Sequence, residues 1–390
     1  MRLNRLPTGK EVEGTELVLR GAEVLEHKEL GTRPLRNARA VDRIVLGGPS
    51  RIWEPRFTFH GFRYLQVEGW DDIKAEDVTS IGIASDMAIT GTFDCSHAEI
   101  SRLHQNVVWS ARSNTISVPT DCPQRDERLG WTGDLQVFAP AMTYLFDAAG
   151  FLRSWLRDLR ADQKRHNNIV PMVVPEVSWL ANVPMAQAVW GDVAVILPDQ
   201  LHIAYDDNEI LAESYESIAA WLDKGIQRDE STRLWTPLGF QLADWLAPSA
   251  KPDSPTVGPT DNFLVADAYL VHVTRIAACI ARRIGNKEEA DKRDAEAKEL
   301  LDQFHRLYVT RGDKIVSQSQ TAIALMLVFD LIDPCRPKQR EILVKKLEQL
   351  VVQGKWQVET GFVGTRRAAV SLFRDCAHYR NPHHPSSSSA

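Results

Sequence analysis

An antiparallel β domain followed by an all-α array is the fold class this sequence predicts. Three observations predict it. Residues 1–94 hold no helical period over ten residues but contain short β-branched and aromatic runs. From Ser96 onward apolar residues recur at helical spacing in one run after another. The 390 residues are enough for two domains, each with its own core.

In the first part, residues 16–20 (ELVLR) and 43–46 (RIVL) read as short strands. Residues 58–67 (TFHGFRYLQV) are rich in aromatic and β-branched residues with partial alternation, and residues 47–50 and Gly69 are turn signals. Segments of this kind pair as an antiparallel β-sandwich. Trp53, Phe57, Phe59, Phe62 and Tyr64 read as its core rather than as a binding face.

At Ser96 the pattern changes. Residues 96–99 (SHAE) form a capping-box pattern, after which Ile100, Leu103, Val107, Val108 and Ala111 trace one helical face. A second run is Leu135, Phe138, Ala139, Met142, Leu145 and Phe146, with Thr132 as its cap and Asp134 in the first turn, where negative charge is favoured. A third is Phe151, Trp155, Leu156 and Leu159. Residues 166–192 are a long Pro- and Val-rich loop ending in VWGD, and a loop of that length inside a domain is usually functional. Helical runs follow at 193–205, 209–224, 262–285, 287–308, 319–331 and 337–353. Asp206 with Glu209 is another capping-box pattern, Gly285 a C-terminal stop and Pro337 a helix start. Residues 287–299 are a charge run, the solvated face of a helix.

Composition excludes several classes. The net charge is −6 and no basic stripe with interleaved aromatics appears, so nucleic acid is not an expected partner. Residues 1–10 carry no apolar signal-peptide core, and the most apolar segment, residues 321–332, is too short to span a membrane. There is no Asn-x-Ser/Thr sequon. The five cysteines are scattered without a CxxC pair and read as reduced, small buried residues. These facts predict a cytoplasmic protein with no membrane partner. No GxSxG elbow, HExxH or EF-hand loop is present, and Cys122 has no adjacent histidine to activate it.

The chemistry concentrates in residues 119–134, PTDCPQRDERLGWTGD, which hold four carboxylates, two arginines and an indole between two prolines and two glycines. A solvated turn ahead of a capped helix is the plain alternative, but the density of acids and the embedded tryptophan favour a site. Glycoside hydrolysis needs two carboxyl groups flanking the scissile bond, one of which donates a proton. Such a donor needs a raised pKa, which burial beside an indole or other carboxylates supplies. Glu127, with Trp131 four residues on and Asp121 and Asp134 nearby, is the best candidate. Asp126 is its competitor, but Arg125 beside it would lower its pKa.

The same sixteen residues resemble the signature of the α-L-rhamnosidases of glycoside hydrolase family 78. Residues 53–67 (WEPRFTFHGFRYLQV) resemble the β-sandwich that precedes the family's catalytic domain, and "WGD" at 190–192, "DWLAP" at 244–248 and "TGFVGT" at 360–365 resemble further segments. The resemblance implies an (α/α)6 barrel, which periodicity alone does not, and an inverting hydrolysis of terminal α-L-rhamnose from glycosides or polysaccharides. It implies Glu127 as the general acid, contacts to rhamnose from Asp121, Arg125 and Asp134, and indoles of Trp131, Trp190 and Trp245 against the sugar. It implies no metal and no cofactor.

The resemblance covers residues 13–365, giving a clipped β domain at 1–94, an incomplete barrel at 95–365 and a non-family, disordered tail at 366–390. The tail's His383 and His384 are weak metal candidates. The family's late Trp–Glu pair that places the general base is not found, so the base is expected to be absent from this chain. Glu176 and Asp192 are the substitutes on a rim loop, and Glu359 does not match the base motif. The alternative expectation is therefore a catalytically defective, rhamnose-binding fragment.

Overall fold

The computed structural model describes residues 1–47, 51–177, 185–336 and 338–375. They fall in two compact units, residues 1–131 with 145–147 and residues 132–144 with the chain from 148 onward. The units part at 131–132, later in the chain than the change of pattern at Ser96.

In the first unit every strand pairing is antiparallel. The central strand is β2 (Glu16–Ala22), flanked by β5 (Val41–Val45) and β6 (Tyr64–Glu68), with Leu17 opposite Ile44 and Leu19 opposite Val67. Leu17 and Leu19 share one face because side chains alternate along a strand. They pack with Leu3, Leu6, Ile44, Leu46 and Trp70 into one core. Three smaller pairs complete the strands: β1 (Arg2–Leu3) with β7 (Val78–Thr79), β3 (Val24–Glu26) with β4 (Glu29–Gly31), and β8 (Thr115–Ile116) with β9 (Val118–Pro119). His27 and Lys28 join β3 to β4 with φ of 53° and 72°, the left-handed pair that a tight two-residue hairpin demands.

None of the five aromatics expected in the core is fully buried. Trp53 packs on the core's edge, Phe59, Phe62 and Tyr64 are half-buried, and Phe57 is fully exposed. Phe57, Phe59 and Phe62 lie in irregular backbone over residues 54–63, Trp53 makes a single bridge with Leu3, and Tyr64 opens β6. Helix α1 (Ala98–Ser113) closes this unit. Its N-cap is His97 and no side chain caps it, so the expected box at Ser96 does not form. Ser101 instead donates to Asp94 Oδ1 at 2.6 Å.

The second unit is helical: α2 (Thr132–Leu145), α3 (Ala149–Arg165), α4 (Val193–Tyr205), α5 (Asn208–Ala220), α6 (Asn262–Arg283), α7 (Lys287–Tyr308), α8 (Gln320–Val328), α9 (Gln339–Gln353) and α10 (Phe362–Asp375). Consecutive helices pack as pairs, α4 on α5, α6 on α7 and α8 on α9. Helix starts follow the side-chain oxygens that can reach orphan N–H groups. Asp261 accepts from Leu264 N at 2.8 Å, Asn286 from Glu289 N at 3.2 Å and Ser319 from Ala322 N at 3.0 Å.

Two expected caps are displaced. Asp207, not Asp206, caps α5, accepting from the backbone of Glu209 and Ile210, while Asp206 closes α4 with φ of 53°. Thr132 does not cap α2. Its N–H and its hydroxyl both donate to Met172 O, at 2.9 and 3.0 Å. Gly285, with φ of 81°, ends α6 as expected. Pro337 lies outside the described residues, and α9 starts two residues beyond it.

Helix α6 is long and apolar enough to cross a membrane by length and composition, and residues 321–332 are not the segment to judge by. Of its most apolar stretch, 72% is buried inside the protein, as befits a core helix. The tail expected from residue 366 is also corrected. Residues 366–375 continue α10, where Ala368 and Ser371 are buried and Arg367 lies 4.8 Å from the Phe329 ring. Residues 376–390, with Cys376, His383 and His384, lie outside the described residues.

Candidate active site

The acid loop leaves the β8–β9 hairpin and is pinched at its base. Asp121 N–H donates to Leu129 O at 3.1 Å, and Leu129 N–H returns a bond to Asp121 Oδ1 at 3.0 Å. Inside the pinch, Arg125 N–H and Arg128 N–H both donate to Cys122 O. Arg128 ties the loop to the β domain, with its guanidinium 5.0 Å from the Phe59 ring. Gly61 backs the loop so closely that a Cβ there would sit 2.7 Å from Gln124 Cβ.

Within this frame Glu127 is partly buried, its side chain 21% exposed. Its Oε2 accepts from Arg125 and, at 2.9 Å, from Arg36. Arg36 Nε also lies 3.7 Å from Asp126 Oδ1. Two guanidinium groups are the bonded partners of Glu127, in addition to the expected neighbouring carboxylate, Asp121, which has an oxygen within 4.8 Å. Desolvation opposes the charge on Arg125, but Cys122, Glu127 and Asp121 outweigh it and hold Arg125 more firmly protonated than usual. Desolvation likewise raises the Asp126 carboxyl, yet bonds from Asn37 and the charge of Arg36 bring it below the usual range. The expected cause, Arg125, is not the one that acts.

One ligand atom each of Asp121, Cys122 and Glu127 lies within 4.8 Å of the others. This set suits a metal ion poorly. Burial, then the bond and charge of Asp121, push the Cys122 thiol up to about 12, so it stays protonated. Two arginines already neutralise Glu127 and would repel a cation.

In the helical unit, Asp134 lies exposed in the first turn of α2, one residue from Gly133. Trp190 covers that glycine, and a Cβ on Gly133 would sit 2.6 Å from its ring. The Trp190 ring is buried, 5.4 Å from that of Phe362, and its N–H has no partner among the described residues. The Trp131 N–H, in the first unit, is likewise buried without a partner. The loop carrying Trp190 is pinned by Asp192, whose Oδ2 accepts from Val189 N at 2.7 Å and Oδ1 from Trp221 Nε1 at 3.0 Å. Val189 has φ of 71°. Complete burial pushes the Asp192 carboxyl up to about 6 despite these bonds.

Asp244 does the same for Trp245. It accepts from Thr321 Oγ1 and from the N–H groups of Gly361 and Gly364, both at 3.0 Å. It thus caps α10 from across the chain, and Phe362 N–H donates to Trp245 O at 2.8 Å. The Glu176 side chain is buried against His166, and its own N–H donates to Asp162 Oδ2 at 2.8 Å. Glu176 and Asp192, the two substitutes expected for a base, thus both have partners within the helical unit.

Two family models match in tandem: the bacterial α-L-rhamnosidase concanavalin-like domain over residues 4–84 and the bacterial α-L-rhamnosidase six-hairpin glycosidase domain over residues 88–379. The chain belongs to the α-L-rhamnosidase family. Its fold class is accordingly a concanavalin-like β domain followed by hairpins of the six-hairpin, (α/α)6 type. The α-L-rhamnosidase of Streptomyces avermitilis is 36% identical over 94% of this chain, which covers 34% of that protein. An α-L-rhamnosidase of Formosa agariphila is 33% identical over 90% of it, which covers 38% of that protein. The chain therefore spans about a third of the length of these relatives. Among solved structures, the α-L-rhamnosidase of Aspergillus terreus superposes with a TM-score of 0.89 at 40% identity, over 95% of this chain and 42% of that one. The S. avermitilis enzyme in complex with L-rhamnose superposes with a TM-score of 0.84 at 33% identity, over 97% of this chain and 35% of that one.

Sequence reasoning missed Arg36 and Asn37, which lie in a stretch, RPLRNAR, that has no pattern of its own. It also missed the structural work of Asp192 and Asp244, since a motif does not say which member touches substrate. A cavity of about 540 Å³ opens elsewhere in the first unit, lined by residues such as Phe62 and Trp109, and of the acid loop it reaches Pro123. Its volume does not mark the chemistry.

Proposed function

We propose that this chain carries the acid half of a rhamnoside-hydrolysing machinery, with Glu127 delivering a proton to the glycosidic oxygen of a terminal α-L-rhamnoside. The observation that supports it is the loop itself, a short, cross-braced frame that presents one partly buried carboxyl at its tip. Asp121, Arg125 and Trp131 are the sugar contacts proposed for the first unit, and Asp134, Trp190 and Trp245 those proposed for the helical unit, each taken by itself. The unpartnered indole N–H groups of Trp131 and Trp190 suit this role, because a buried donor without an acceptor is costly unless a ligand supplies one. An indole also offers an apolar wall for the methyl of a 6-deoxy sugar.

Inversion further requires a base about 6.5–9.5 Å from the acid, activating a water on the opposite face of the ring. The engagement of Glu176 and Asp192 favours the second reading, that the chain binds rhamnose but turns it over slowly. Both readings are tested with the purified chain, an aryl α-L-rhamnoside and azide, an anion that attacks without a base. With azide the C1–O bond breaks, a C1–N bond forms, and the Glu127 proton passes to the leaving phenoxide. The expected result is slow release in water, faster release with azide, and loss of both in Glu127→Gln. Fast release in water that survives Glu127→Gln refutes the assignment.

A further inference from the structure

We infer that Arg36, contributed by the concanavalin-like domain, is a positioning residue for the acid. The inference rests on Glu127 being the proton donor. Arg36 ends a short 3₁₀ turn, Arg33–Leu35, whose Leu35 is buried and whose start is fixed by Pro34. The turn is closed by Arg36 N–H on Arg33 O at 3.1 Å and Ala38 N–H on Leu35 O at 3.0 Å. Arg36 itself has φ of 56° and ψ of −113°, a conformation that a side chain with a Cβ adopts only when its surroundings impose it. The strained residue is the one whose guanidinium reaches Glu127, 91 positions away in sequence. Its neighbour Asn37 grips Asp126. The turn therefore holds both acids at the tip of the loop.

The geometry says what this accomplishes. Arg36 and Arg125 donate to the same oxygen, Oε2, and no hydrogen bond from the described residues reaches Oε1. A carboxylic acid carries its proton on one oxygen. An oxygen already accepting two charge-assisted bonds cannot take it without breaking one. The proton is thereby directed to Oε1. Arg125 alone, from the same loop, would leave Oε2 with a single bond and the choice of oxygen less biased. An ordinary exposed ion pair would be worth little and would need no strained backbone to make it. Arg36 does not touch the substrate in this account; it acts through Glu127.

The test compares Arg36→Gln, Arg36→Lys and Glu127→Gln in the full chain, with circular dichroism to show that each is folded. Turnover of a phenyl α-L-rhamnoside, which needs an acid, is set against that of a dinitrophenyl α-L-rhamnoside, which does not. Azide is present throughout. Glu127→Gln should lose on the order of 10²–10⁴-fold on the phenyl substrate and far less on the dinitrophenyl one. Arg36→Gln should lose about tenfold on the phenyl substrate and leave the other within about twofold, with partial recovery in Arg36→Lys. Equal losses on both substrates, or none, overturn the inference. No leaving-group dependence in Glu127→Gln overturns the acid assignment instead. Carbodiimide labelling of Glu127, read by mass spectrometry, decides independently of turnover. It should rise severalfold in Arg36→Gln and less in Arg36→Lys, and an unchanged rate overturns the inference.

Discussion

Glu127 and Asp192 are both carboxylates in signature motifs of the same family, and the structure treats them in opposite ways. Glu127 sits at the tip of a braced loop, partly exposed, with one oxygen held by two cations. Asp192 is 1% exposed, and both its oxygens are consumed by neutral N–H donors of its own loop and of Trp221. A carboxylate surrounded by neutral donors in a dry interior is built into the architecture. One held by charges at a surface loop keeps an oxygen available for chemistry. Presence in a motif therefore does not separate substrate contact from support; the bonded partners do.

The sharpest way to break this comparison is to truncate the buried acid. Asp192→Ala leaves the N–H groups of Val189 and Trp221 buried and unpaired, and is expected to cost about 2–4 kcal/mol of unfolding free energy, read by urea denaturation. Gly133→Ala should cost about 1–3 kcal/mol, because the added methyl meets the Trp190 ring with no space to give, and rhamnose binding should weaken with it. A stability unchanged by either would show that these contacts are looser than drawn.

The dependence on pH follows from burial. The Asp192 carboxyl is raised to about 6 and that of Asp267 to about 7, in both cases first by desolvation. Folded chains then retain protons that unfolded chains release, so this contribution to stability is fullest below about pH 4 and is lost as pH rises to about 6–7. His272, half-buried and stacked 3.8 Å from Phe329, is displaced well below its usual value by desolvation and by Arg367 and Arg275. Its sign is opposite: the contribution is present above about pH 6.5 and is lost as pH falls. Denaturation midpoints across pH 4.5–8 should show both slopes. Asp192→Asn should flatten the loss between about pH 4 and 6, and a profile identical to that of the unsubstituted chain would contradict the assignment.

What was legible in the sequence was local. The acid loop announced itself by composition, and α4 to α7 by their apolar period, because both signals lie within a few residues of one another. Caps were read to within a position: two adjacent aspartates, Asp206 and Asp207, offered the same chemistry, and only backbone geometry chose between them. Helix α10 was not read because the resemblance faded at residue 365, although Gly364, Ala368 and Ser371 recur at helical spacing and are buried. Long-range partners were not legible at all. Nothing near Glu127 in sequence points to Arg36, and nothing near Asp244 points to the N-terminus of α10 that it caps. In both cases the partner is fixed by the fold of a distant turn.

The most direct measurement is the behaviour of Glu127→Gln in two assays on one preparation, unfolding free energy and aryl rhamnoside turnover with azide. If Glu127 is held for chemistry, stability changes by no more than about 0.5 kcal/mol, as for a surface substitution, while turnover falls on the order of 10²–10⁴-fold. A loss of several kcal/mol with turnover per folded molecule intact would place Glu127 with Asp192 as architecture and contradict the account.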